Sequence, residues 1–238
     1  MNISKKEAEE FKERLVLSVI NYRENASKLQ DFPFCQRGEF AILAQFCVGE
    51  KNDAGQYTAC LTVTKDMMEK WNLTEDALFE IACKNSKKIF PGEIKRLEDF
   101  NQVSMDLRAD GIIAPEVFVF TNQQHFNGAA TLFYQPDLLS DLCGQIGKEN
   151  LALLPTGVNE IYCFGLNNRE KDNLQEYQML FDEMLEKLDK KDHIANNVIC
   201  FNCKSQSIQE INGKSYSVGL MVKEMEGNTK KHTGGHRR

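Results

Sequence analysis

Apolar and polar positions along this chain fall into short blocks, and the densest run of them lies at residues 115–166. Residues 117–120 (VFVF) are β-branched and aromatic, which suits a buried, pleated strand. A polar stretch follows and closes on Asn127-Gly128, a turn dipeptide whose members both tolerate positive φ. Residues 129–134 (AATLFY) then predict the returning strand of a hairpin. Pro136 suits the first turn of a helix, Asp137 sets a carboxylate at its positive end, and Gly147 is a natural stop. Between them Leu138, Leu139, Leu142, Cys143 and Ile146 recur at helical spacing. Residues 151–154 and 161–164 are two more apolar runs, split by the turn signal Pro155-Thr156-Gly157. Strand, strand, helix, strand, strand is an α+β pattern: a mainly antiparallel sheet with helices packed on it.

The flanking chain extends this pattern. Ser4-Lys5-Lys6-Glu7 has the form of a capping box. Phe11, Leu15, Val19 and Tyr22 continue at spacings of four and three, so one amphipathic helix is expected from residue 4 to about 29. Residues 31–38 break the pattern, and 40–48 and 57–63 read as two strands joined by a polar, exposed loop. Thr64 and Thr74 can each cap a helix, the first over 66–71. The second places Leu78, Ile81 and Ala82 inward and ends at Phe90-Pro91-Gly92. Residues 93–113 are weakly patterned. A polar loop at 167–172 leads into a helix over 174–188, and 198–201 reads as the last strand. The stretch from 227 (GNTKKHTGGHRR) is basic and nearly free of apolar side chains. These signals predict a single α+β domain over 1–226 and a disordered basic tail over 227–238, with two packed lobes as the alternative division.

Composition narrows the class. Of 238 residues, 42% are hydrophobic and 27% charged, ordinary for a globular protein with a sizeable core. A net charge of −6 without a basic stripe argues against a nucleic-acid binder. No apolar run is long enough for a bilayer, and the charged N-terminus has no signal core, so a cytoplasmic protein is expected. In that compartment the eight cysteines are expected as reduced thiols. Six of them (Cys35, Cys47, Cys60, Cys83, Cys143, Cys163) lie in or beside apolar runs and read as small core hydrophobes.

Candidate chemistry is sparse. Cys200 and Cys203 form a C-x-x-C pair, which His232 and His236 could complete to four metal ligands. The gap between the pairs is far longer than in compact zinc fingers. On a strand, Cys200 and Cys203 would point to opposite faces, so two incidental thiols is the plainer reading. A redox pair would be expected to open a helix. His125 and His193 stand alone in polar segments, without marked nucleophile or base partners. Glu75-Asp76 and Glu183 with Glu186 read as helix-end charges and solvated faces. No P-loop, G-x-G-x-x-G or H-E-x-x-H occurs. Asn122, Asn127 and Gly128 make the most distinctive polar cluster: either a binding loop or a turn whose amides cap its own backbone.

Three segments carry a resemblance: residues 61–90 (LTVTKDMMEKWNLTEDALFEIACKNSKKIF), 117–134 (VFVFTNQQHFNGAATLFY) and 153–164 (LLPTGVNEIYCF), with a looser match over 192–211. Their order resembles the bacterial domain-of-unknown-function family 5688, and the resemblance covers most of residues 14–211. The resemblance implies a fold and no mechanism. Similar proteins carry a further N-terminal region, and this chain resembles a shortened member. Where they read with serines and a His-Glu pair after the proline, this chain has Asn159-Glu160. The expectation is therefore an uncharacterised cytoplasmic bacterial protein, non-enzymatic, that binds a protein partner or itself and needs no cofactor. The alternatives are a metal- or thiol-dependent enzyme using Cys200 and Cys203, and weak nucleic-acid contact through Lys230, Lys231, Arg237 and Arg238.

Overall fold

The computed structural model describes residues 5–48, 57, 59–99, 116–167 and 174–219. In chain order the elements begin with α1 (Lys5–Glu13), β1 (Leu15–Asn21), α2 (Tyr22–Asn25), β2 (Phe34–Arg37), β3 (Phe40–Val48) and β4 (Ala59–Thr62). Next come α3 (Lys65–Lys70), α4 (Glu75–Ile89), β5 (Gly92–Arg96), β6 (Val117–Asn122), α5 (Thr131–Tyr134) and α6 (Asp137–Ile146). The last are β7 (Asn150–Leu154), β8 (Ile161–Leu166), α7 (Leu174–Glu186), β9 (Ile199–Asn202), β10 (Ser207–Glu210) and β11 (Ser215–Ser217).

The architecture is α+β with two antiparallel sheets. In the smaller sheet β3 pairs with β1 along one edge and with β2 and then β4 along the other. The larger sheet runs β11-β10-β9-β7-β8-β6-β5. Its central strands are apolar in continuous runs because both faces are covered. Val119, Ala152, Leu154, Phe164 and Cys200 face Phe181 and Met184 of α7. Alternate residues Phe118, Phe120, Leu151, Leu153, Cys163 and Phe201 join a core that also takes Leu15, Leu17 and Val19 of β1, Phe40 and Ile42 of β3, and Leu139 and Leu142 of α6. One apolar cluster thus unites both sheets. The Phe40 and Phe133 rings meet edge-to-face across it at 5.5 Å.

Four sequence expectations change. The helix expected from 4 to 29 ends at Glu13, and Leu15–Asn21 is a strand. A spacing of four is even, so Leu15 and Val19 share a face on a strand as well as on a helix. The intervening Val16 and Leu17, also fully buried, make the strand the better use of the segment. The edge of β1 is then closed by α4, where the Ser86 hydroxyl accepts the Leu17 amide at 2.8 Å. The segment that breaks the pattern, 31–38, contains β2.

The hairpin return over 129–134 is instead a 3-10 turn (Gly128–Ala130) followed by α5. Both edges of β6 are taken, by β5 and by β8, so a returning strand would have no ladder to join. Finally, β9 is not the last strand. The hairpin β10–β11 follows it, turning at Asn212-Gly213 with Gly213 at φ +83°. The helices capped by Thr64 and Thr74 form as the sequence predicts, each hydroxyl accepting an amide at 3.2 Å. The expected tail, with Lys230, Lys231, His232, His236, Arg237 and Arg238, lies outside the described residues.

Candidate functional site

The polar loop that the sequence singles out is an internal lock. The Asn122 side chain accepts the Gln124 amide at 3.0 Å and donates to the Phe126 carbonyl at 2.7 Å, capping its own turn. Asn127 takes the left-handed conformation (φ +53°) and donates from its side chain to Gln45 at 2.9 Å, while its own Oδ1 accepts from Ser18 at 3.4 Å. Gly128 has an ordinary φ. It is needed because a Cβ there would overlap the Asn159 carbonyl and the Thr121 hydroxyl. That hydroxyl donates to the Asn159 carbonyl at 2.6 Å, and Asn159 Oδ1 accepts the Asn127 amide at 3.2 Å. Asn159 therefore joins two loops.

Cys200 and Cys203 lie on opposite faces of the larger sheet, Cys200 toward α7 and Cys203 toward the shared core. Cys203 is in bonding contact with Cys143 of α6, their Cα atoms 6.4 Å apart, within the disulfide range. The expectation of eight reduced thiols fails for this pair. Among the described residues, no three or more His, Cys, Asp or Glu side chains gather as a metal set. His125 (φ +51°) lies 3.8 Å from Glu93, which also meets Lys95 at 3.0 Å. His193 Nε2 lies 3.1 Å from the Leu185 carbonyl.

A better candidate lies where the two sheets meet. The β2–β3 connection is a two-residue turn with Gly38 at its first position, at φ +57°, as short hairpins favour. Its second residue, Glu39, is buried and sends its carboxylate across to the segment before β9. Oε2 accepts the Asn196 and Asn197 amides at 2.8 and 3.1 Å, and Oε1 accepts the Asn197 side-chain amide at 2.7 Å. Three donors on one carboxylate compensate its burial. On the facing side, the β10–β11 hairpin brings Glu210 and Tyr216 against Gly38 so closely that a Cβ there would overlap Glu210 Oε1 and the Tyr216 hydroxyl.

Between these turns opens a cleft of about 630 Å³, rimmed by Arg23, Gln36 and Lys214. Glu210 is only 7% exposed, and Oε2 accepts the Asn212 side-chain amide at 2.8 Å. The Tyr216 hydroxyl is buried with no hydrogen-bond partner among the described residues. Burial, then the neighbouring charges of Glu210 and Glu39, push the phenol well above its ordinary pKa, so it stays neutral. Glu210 Oε1 and the phenol oxygen therefore form a side-by-side pair of acceptors in a desolvated setting.

None of these cleft residues stands out in the sequence. Glu39, Glu210 and Tyr216 sit in short polar strands and turns. The Asn212-Gly213 dipeptide was the one available signal, since it marks a hairpin beyond the last apolar strand.

No helix among the described residues is long and apolar enough to cross a membrane. Neither a curated protein nor a solved structure matches the chain. The model of a family of unknown function, DUF5688, matches residues 2–202. With that match spanning most of its length, the chain belongs to the domain-of-unknown-function family 5688.

Proposed function

We propose that this is a non-enzymatic binding protein of the bacterial cytoplasm that acts through a protein partner, docking the partner's basic side chain in the cleft between the β2–β3 turn and the β10–β11 hairpin. The observation that carries this reading is the buried Glu210 carboxylate beside the unpartnered Tyr216 hydroxyl. Two adjacent acceptors match the paired N–H groups of a guanidinium, and a buried acceptor gains most from a charged donor. Arg23 and Lys214 at the rim favour acidic residues on either side of that arginine.

Titration calorimetry with an arginine peptide flanked by glutamates tests this. The wild type is expected to bind, and Glu210→Gln to weaken binding about tenfold or more, since truncating one charge of a desolvated pair is costly. Equal affinity in Glu210→Gln would remove the cleft from the function.

Six cysteines outside any disulfide among the described residues suit the reducing compartment, while the Cys143–Cys203 contact bears on it directly. A reducing cytoplasm would open the Cys143–Cys203 bond, so thiol trapping in intact bacterial cells is expected to label both cysteines. A pair that stays blocked until reductant is added would contradict the cytoplasmic assignment.

A further inference from the structure

The smaller sheet holds a second cysteine pair. Cys47 of β3 and Cys60 of β4 are direct cross-strand partners in the antiparallel register, and their sulfurs lie 2.9 Å apart in a shared hydrogen bond. Cα atoms of opposed antiparallel residues sit about 4.5–5.5 Å apart, inside the span a disulfide bridges. Cys47 is buried with Val16 and Phe90, whereas Cys60 is half-exposed on an edge strand. The hydrogen bond with Cys47, and then burial, push the Cys60 thiol far above its ordinary pKa, so the reduced pair rests as a dithiol.

We propose that Cys47 and Cys60 form a redox modification site that a low-molecular-weight disulfide converts to a cross-strand disulfide. Cys60, the accessible sulfur, attacks glutathione disulfide. The glutathione S–S bond breaks, one glutathione leaves as thiolate, and a Cys60 mixed disulfide forms. Cys47 then attacks the Cys60 sulfur and expels the second glutathione. The two thiol protons pass to the two glutathione thiolates, and the pair's two electrons reduce the reagent. Closure pins β4, which among the described residues pairs only with β3, to its neighbour.

The test uses the intact protein with glutathione disulfide, followed by proteolysis and peptide mass mapping. The expected product is a Cys47–Cys60 linked peptide lacking two hydrogens. In Cys47→Ser the same reagent is expected to leave a stable glutathione adduct on Cys60. Because the decisive product is read in the wild type, a variant that fails to fold leaves the test intact. A wild-type Cys60 adduct that persists beside a free Cys47, or modification of Cys35 and Cys83 while the pair stays unreacted, would overturn the proposal.

Discussion

Replacing Glu39 by alanine is expected to destabilise the protein by about 3 kcal/mol, a fall in melting temperature of roughly 10 °C for a chain of this size. The carboxylate accepts three hydrogen bonds, two of them from the backbone amides of Asn196 and Asn197. Alanine leaves those donors without their acceptor in a site from which water is largely excluded. The loss is smaller than the sum of three charged hydrogen bonds because the cost of burying the carboxylate disappears too. Glu39→Gln keeps an acceptor but turns an NH₂ group toward one of the amides, so an intermediate loss is expected. Thermal unfolding gives the magnitude, and faster hydrogen exchange at Asn196 and Asn197 locates it. A Glu39→Ala protein within about 0.5 kcal/mol of wild type would show that the clamp between the sheets contributes little.

The second large effect is expected at Gly128. Gly128→Ala drives a Cβ into the Asn159 carbonyl and the Thr121 hydroxyl, which are joined by a 2.6 Å hydrogen bond. One obstacle is backbone and cannot rotate away, so overpacking and the strained hydrogen bond together should cost about 3 kcal/mol. Gly144 offers the opposite case. It lies in α6, and a Cβ there meets nothing within 4 Å. Gly144→Ala is therefore expected to stabilise by about 0.5–1 kcal/mol through helix propensity. Denaturant unfolding of both variants checks the pair, and equal effects of one sign would refute the packing argument.

Much of the fold was legible because burial is written into composition. The runs VFVF, LALL and IYCF read as strands, and β6, β7 and β8 are strands, buried along nearly their whole length. Thr64 and Thr74 announced their helices through cap chemistry that needs no tertiary context. Two apolar segments were misread where local pattern is degenerate. Leu15 and Val19 satisfy both periods, and AATLFY is too short to show either. What decides those cases is whether a sheet edge is free, which is a property of the fold.

The candidate site was least legible. Asn122, Asn127 and Gly128 drew notice for their turn chemistry, and the structure spends that chemistry on internal hydrogen bonds. Strand alternation already argued against a shared role for Cys200 and Cys203, but no local spacing marks the partner Cys203 does meet, Cys143, 60 residues away. The cleft depends on Glu39, in the β2–β3 turn of the smaller sheet, and Glu210, on β10 of the larger one, which become neighbours only when the two hairpins pack.

The most direct test of the docking cleft is amide chemical-shift mapping with a glutamate-flanked arginine peptide and its citrulline counterpart, which keeps the shape and loses the charge. The account predicts shifts concentrated at Gly38, Glu210, Lys214 and Tyr216 with the arginine peptide, and almost none with citrulline. Shifts confined to other surfaces, or equal for the two peptides, would contradict it.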